Sequence, residues 1–222
     1  MTSLDGIKAS LDKALKGIER YNPNNIPTIE HYVDVQVEEN GYDLEANLAL
    51  LKLYQFNPTN LNKEYVCKVL LKSLANLPHS DFLLCKSLLS QEILEDPMLV
   101  SIQKMANLLE TCSFKEFWEK SRTEFSKLTK AIAGFEDCMR KFVCHVISNS
   151  YQRIPEDRLC ELLGLEDEKV VDQWISKNGW STGEGNFVTI SNQDESIKTK
   201  KITEKIDLES VAGIMAAGFW IP

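Results

Sequence analysis

The chain has 222 residues, 43% of them hydrophobic, and a formal net charge of -8. A folded chain of this size buries about 70 to 75% of its unfolded surface, so a real core is expected, while the acidic balance excludes a general coat for phosphate backbones or anionic membranes. Cys67, Cys85, Cys112, Cys138, Cys144 and Cys160 lie in apolar helical runs with no C-x-x-C pair, the pattern of small core hydrophobes in a reducing compartment. Leu4, Ile7 and Leu11 are separated by polar residues and nowhere do eighteen apolar residues run together. The expectation is a soluble cytoplasmic protein without signal peptide or membrane span.

Residues 1 to 133 read as amphipathic helices separated by regular breaks. Asn22-Pro23, Asn40-Gly41, Asn57-Pro58, Leu77-Pro78, Asp96-Pro97 and Thr111-Cys112-Ser113 punctuate the chain, with marks at 23, 41, 58, 78, 97 and 112. Two helices and their turns then occupy roughly 35 residues, the period of a helical-hairpin repeat. Each segment has its own stripe: Leu4, Ile7, Leu11, Leu15, Ile18; Ile29, Tyr32, Val33, Val37; Leu44, Leu48, Leu51, Tyr54; then Val66, Val69, Leu70, Leu74 and onward to Phe117 and Trp118. Asp43, Asn60, Ser80 and Ser113 stand where an N-cap is needed. The predicted fold is mainly α, beginning with an α-solenoid of about three HEAT/TPR-like hairpins that ends near Ala133-Gly134.

Residues 134 to 201 predict a winged helix. Met139, Phe142, Val143, Val146 and Ile147 share a helical face from Glu136 to Tyr151. Pro155 opens a second helix through Leu159, Leu162 and Leu163, which Gly164 ends. Glu166 and Asp167 begin a third, through Val170, Val171, Trp174 and Ile175 to Asn178-Gly179. Only then does the period change to 2: Trp180 starts one short strand and Phe187-Val188-Thr189-Ile190 returns, a small β-hairpin with one open edge. Trp174 and Trp180 are expected in the core. Residues 202 to 222 predict a C-terminal helix and apolar tail, because Val211 to Pro222 carries no charge and needs a surface to cover it.

Chemistry-bearing patterns are sparse. Cys138 and His145 share a helical face beside Cys144, but no second cluster completes four ligands, so a buried thiol and a partly buried imidazole are expected and no metal. There is no G-x-S-x-G elbow and no G-x-G-x-x-G or phosphate-binding loop, which argues against an enzyme and against a cofactor. The third helix, Glu166 to Lys177, holds four acids and two lysines, the wrong sign for a DNA groove. Lys198, Lys200, Lys201 and Lys205 form the basic cluster, read first as a solvated linker and second as a weak RNA contact.

Longer strings carry a resemblance over roughly Leu15 to Met215. Leu15-Lys16-Gly17-Ile18-Glu19-Arg20-Tyr21-Asn22-Pro23, Tyr42-Asp43-Leu44-Glu45-Ala46-Asn47-Leu48, Leu53-Tyr54-Gln55-Phe56-Asn57-Pro58, Asn76-Leu77-Pro78-His79, Gly134-Phe135-Glu136-Asp137 and Glu195-Ser196-Ile197-Lys198 resemble the subunit k family of eukaryotic translation initiation factor 3, one of the PCI-type scaffold subunits. The resemblance implies a non-catalytic subunit of that complex, in the cytoplasm and also the nucleus. Its implied partners are the other subunits, the l subunit above all, and through them the small ribosomal subunit and messenger RNA, with neither DNA nor membrane. Partner binding is expected through Phe187, Val188 and Ile190 on the return strand and Val211, Ile214 and Met215 on the trailing helix. The alternative is an RNA-contacting winged-helix module that uses the lysine cluster; the acidic third helix favours the scaffold.

Overall fold

The computed structural model describes residues 17–165, 167–183 and 185–190, together with Gly6, Lys8, Leu11, Leu15, Val211, Ala212, Gly213 and Met215. The described chain is mainly helical, with one small three-stranded antiparallel sheet. After short 3-10 turns at Gly17–Tyr21 and Pro23–Asn25 come α1 (Ile26–Glu38), α2 (Leu44–Phe56), α3 (Lys63–Leu74), α4 (Asp81–Ser87), α5 (Gln91–Leu94), α6 (Pro97–Glu110) and α7 (Phe114–Arg122). A short α8 (Ser126–Lys130) leads to α9 (Phe135–Ser150), β1 (Arg153–Pro155), α10 (Glu156–Leu163), α11 (Glu168–Lys177), β2 (Ser181–Thr182) and β3 (Phe187–Thr189).

The helices begin where side chains can satisfy first-turn amides. Asp43 accepts from the Ala46 amide at 3.2 Å to start α2, and Asp96 accepts from Met98 at 3.1 Å while Pro97 occupies the first turn of α6. The cap of α3 is Asn62 and not Asn60, because Pro58–Asn60 closes a 3-10 turn first. Ser80 and Ser113 precede α4 and α7 without a side-chain cap bond.

Between neighbouring helices, tyrosine hydroxyls donate to carboxylates over an apolar core. Tyr54 on α2 donates to Glu30 on α1, Tyr65 on α3 donates to Asp34 on α1 at 2.9 Å, and Tyr42 donates to Asp81 on α4 at 2.8 Å. Gln36 and Asn47, both buried, exchange amide hydrogen bonds across α1 and α2, so neither polar group is left unpaired.

The apolar core runs without a break across Ala133-Gly134. Phe114 on α7 and Phe142 on α9 meet edge to face, 6.2 Å between centroids. Trp118 on α7 fits against the end of α10: its indole N–H donates to the Leu162 carbonyl at 2.8 Å, and Arg122 donates to the Gly164 carbonyl at 3.0 Å. Gly164 has φ +64, and a Cβ there would sit 2.5 Å from Trp118 Cγ, so conformation and space both require glycine. The Arg140 guanidinium lies over the same indole, 5.1 Å from a ring centroid.

The sheet corrects two expectations. A strand exists before Gly179: β1 pairs antiparallel with β3 through Arg153↔Thr189, Ile154↔Val188 and Pro155↔Phe187. Pro155 disfavours helical backbone at Ile154, whose β-branched side chain is fully buried in the extended form. The order is β1-β3-β2, with Ser181↔Thr189 and Thr182↔Val188 on the far side, so the return strand is central and has no open edge. Trp174 and Trp180 lie in the core as expected.

The chain divides into two compact units, Met1–Ser191 and Asn192–Pro222. In the second, Val211, Ala212, Gly213 and Met215 are helical. Among the described residues no helix is long and apolar enough to cross a membrane.

Candidate interaction surface

Strand alternation divides the expected partner-binding residues between two faces of the sheet. Val188 and Ile190 point into the core, whereas Phe187 is 44% exposed. Phe187 lines a shallow hollow with Arg153, Thr189 and Gly183, so an aromatic ring and a guanidinium share the open face. Val211 and Met215 are exposed in the second unit, Met215 to 59%. Ile214 and the basic cluster Lys198, Lys200, Lys201 and Lys205 lie outside the described residues.

Sequence reading missed other exposed apolar groups. Leu83 and Leu84 on α4 stand out from the surface, Leu83 to 65%, as does Met98 on α6. Phe56 packs edge to face on Tyr21, centroids 5.9 Å apart, and both rings face solvent. The run Phe82-Leu83-Leu84-Cys85 held the signal for α4: four consecutive apolar residues exceed what one helical face can bury, and Phe82 and Cys85 take the core.

On the acidic third helix, here α11, Asp167 caps the N-terminus by accepting from Lys169 at 3.0 Å, and Lys177 is drawn over the Trp174 ring, 4.7 Å from its centroid. Asp172 and Gln173 face solvent. The candidate ligands on α9 diverge: burial pushes the Cys144 thiol up to about 11, while His145 is exposed, 3.1 Å from the Asn149 amide nitrogen. Among the described residues no group of three His, Cys, Asp or Glu is disposed to hold a metal ion.

The profile described as the CSN8/PSMD8/EIF3K family matches residues 60–201, more than half of the chain. The chain belongs to the CSN8/PSMD8/EIF3K family. Within the curated relatives, proteins named eukaryotic translation initiation factor 3 subunit K from Xenopus tropicalis and Homo sapiens are each 48% identical over 217 residues, 98% of this chain and 99% of theirs. A Bombyx mori protein of the same name is 45% identical over 215 residues, 97% of this chain and 98% of its own. The segment matched to the CSN8/PSMD8/EIF3K family begins just before α3 and includes the Trp118–Gly164 contact, all three strands and the Lys198–Lys201 stretch.

Proposed function

We propose that this chain is a non-catalytic subunit of a eukaryotic translation initiation factor 3 complex and acts there as a protein-protein scaffold for initiation on the small ribosomal subunit. The observation that carries it is the 48% identity, over 98% of the chain, to relatives bearing that name. Residues 1–133 form an α-solenoid of helical hairpins, residues 134–201 a winged-helix domain and residues 202–222 a trailing helix. The element order α9, β1, α10, α11, β2, β3, with β3 between β1 and β2, supports the winged-helix reading. The l subunit is the nearest partner, in the cytoplasm and also the nucleus. With β3 closed on both edges, partner contact falls to side chains: Phe187 on the sheet, and Val211, Ile214 and Met215 on the trailing helix. Val188 and Ile190 serve it from below by fixing the plane from which Phe187 projects.

A second reading, weak RNA contact through Lys198, Lys200, Lys201 and Lys205, is favoured by Arg153 lying beside Phe187 on the open sheet face. Native mass spectrometry of the tagged full chain recovered from cells tests the first reading. Initiation factor 3 subunits, the l subunit among them, are expected, and Phe187→Ser with Met215→Ser should weaken their recovery. Recovery with a different assembly overturns the scaffold assignment, and RNA carried down only when the four lysines are intact supports the second reading.

A further inference from the structure

Lys72 is a cation in an unusual place. It follows Val69 by one turn on α3 and turns inward with it, so that 3% of its surface reaches solvent. Removing an ammonium from water costs several kcal/mol, and buried charges normally meet an opposite charge. Lys72 Nζ donates to the Asn40 side-chain oxygen at 3.1 Å, and no carboxylate of the described residues pairs with it. The Asp81 carboxylate accepts from Tyr42 at 2.8 Å and from Asn76 at 2.7 Å and makes no ion pair with Lys72. Burial pulls the Lys72 ammonium below the ordinary lysine value. Lys72 also stands in the last turn of α3, whose carbonyls present about half a negative charge, so compensation is incomplete.

An ammonium has three donors, and Asn40 takes one. Lys72 lines a half-open hollow of about 160 Å³ with Asn40, Tyr42, Asn76, Cys138 and Lys141. Lys141 is a second ammonium, exposed on α9. The frame is fixed: Tyr42 and Asn76 are held by the same Asp81 oxygen, and Asn40, at φ +52, abuts Gly134 so closely that a Cβ there would lie 2.8 Å from its amide nitrogen. We propose that this hollow binds a small oxyanion, phosphate or carboxylate, whose oxygens accept from Lys72 at the base and Lys141 at the rim, with Asn40 positioning Lys72.

The test titrates the full chain with sodium phosphate and, separately, sodium acetate, each against sodium chloride at equal ionic strength. The amide resonances of Asn40 and Asn76 are followed by NMR. Saturable shifts beyond the chloride control are expected with at least one anion, and the two arms tell phosphate from carboxylate. Lys72→Met should abolish them while keeping the helical circular dichroism and a melting temperature at or above that of the parent, and Lys141→Ala should weaken binding about tenfold, the loss of one charge-assisted hydrogen bond. Absence of a saturable shift with both anions, or unchanged affinity in Lys72→Met, overturns the site. Should Lys72→Met not fold, unchanged affinity in both Lys141→Ala and Asn40→Ala overturns it instead.

Discussion

The first four helices and the junction of α7 with α10 are held together in opposite ways. Among α1 to α4, hydroxyl-to-carboxylate bonds repeat: Tyr54 with Glu30, Tyr65 with Asp34, Tyr42 with Asp81. Each spans a different pair of segments and each contributes modestly, about 1 kcal/mol for a typical net hydrogen bond. At the junction, one indole, one glycine and one arginine meet at a single point. The first arrangement is distributed and tolerates loss; the second is concentrated and does not.

Trp118→Ala should break that comparison most sharply. It empties a buried site and leaves the Leu162 carbonyl without its donor, so a loss of about 3–5 kcal/mol is expected in chemical denaturation. A melt matching the parent would remove the junction from the account of stability. Gly164→Ala comes next, at about 2–4 kcal/mol, because the new Cβ meets the indole and the left-handed backbone is strained together. Gly179→Ala shares the positive φ but meets nothing within 4 Å, so its smaller loss isolates the backbone part.

Tyr42→Phe should lose about 1–2 kcal/mol, since Asp81 is buried and keeps only Asn76 as donor. Tyr65→Phe should lose less, because Lys68 also reaches Asp34, at 2.9 Å. If the two losses were equal, the second donor would be irrelevant. Loss of stability at alkaline pH follows from the same tyrosines. Burial, then the hydrogen-bonded carboxylates, hold the Tyr42 and Tyr54 hydroxyls far above their ordinary value, and burial pushes Cys67 and Cys85 up to about 11. The folded values exceed the unfolded ones, so this stability is complete below pH about 9–10 and is lost as pH rises above it. Thermal melts should therefore fall through that range, and Tyr42→Phe with Tyr54→Phe should flatten the decline. At the small end, Lys63→Met removes an exposed ion pair with Asp96 and should leave the melting temperature unchanged at physiological salt.

Much of the helical half was legible because its punctuation is local. Pro58, Pro97 and the Asn40-Gly41 pair all mark real breaks, and Asp43 caps α2 through a residue three positions away. Gly164 was also readable, since a leucine-rich run ending in glycine names its own terminator. What escaped depends on partners distant in the chain. Arg153-Ile154-Pro155 is a strand because Thr189, Val188 and Phe187 lie alongside it, and three residues carry too little period to announce that. Tyr42 finds Asp81 across 39 positions. Lys72 left a fainter trace: it stands three residues after Val69, at core spacing, inside a run otherwise apolar enough to absorb attention. The expected contact residues Phe187 and Val188 part company because side chains alternate along β3, which leaves Phe187 exposed and sends Val188 inward.

The Trp118–Gly164 fit has a consequence in time. A ribosome adding about 5–20 residues per second delivers Gly164 some seconds after Trp118, and during that interval the indole has neither its glycine seat nor its carbonyl acceptor. The nascent chain therefore carries an uncovered aromatic patch until the end of α10 leaves the exit tunnel, the window in which a chaperone, or an early partner, would find it most readily.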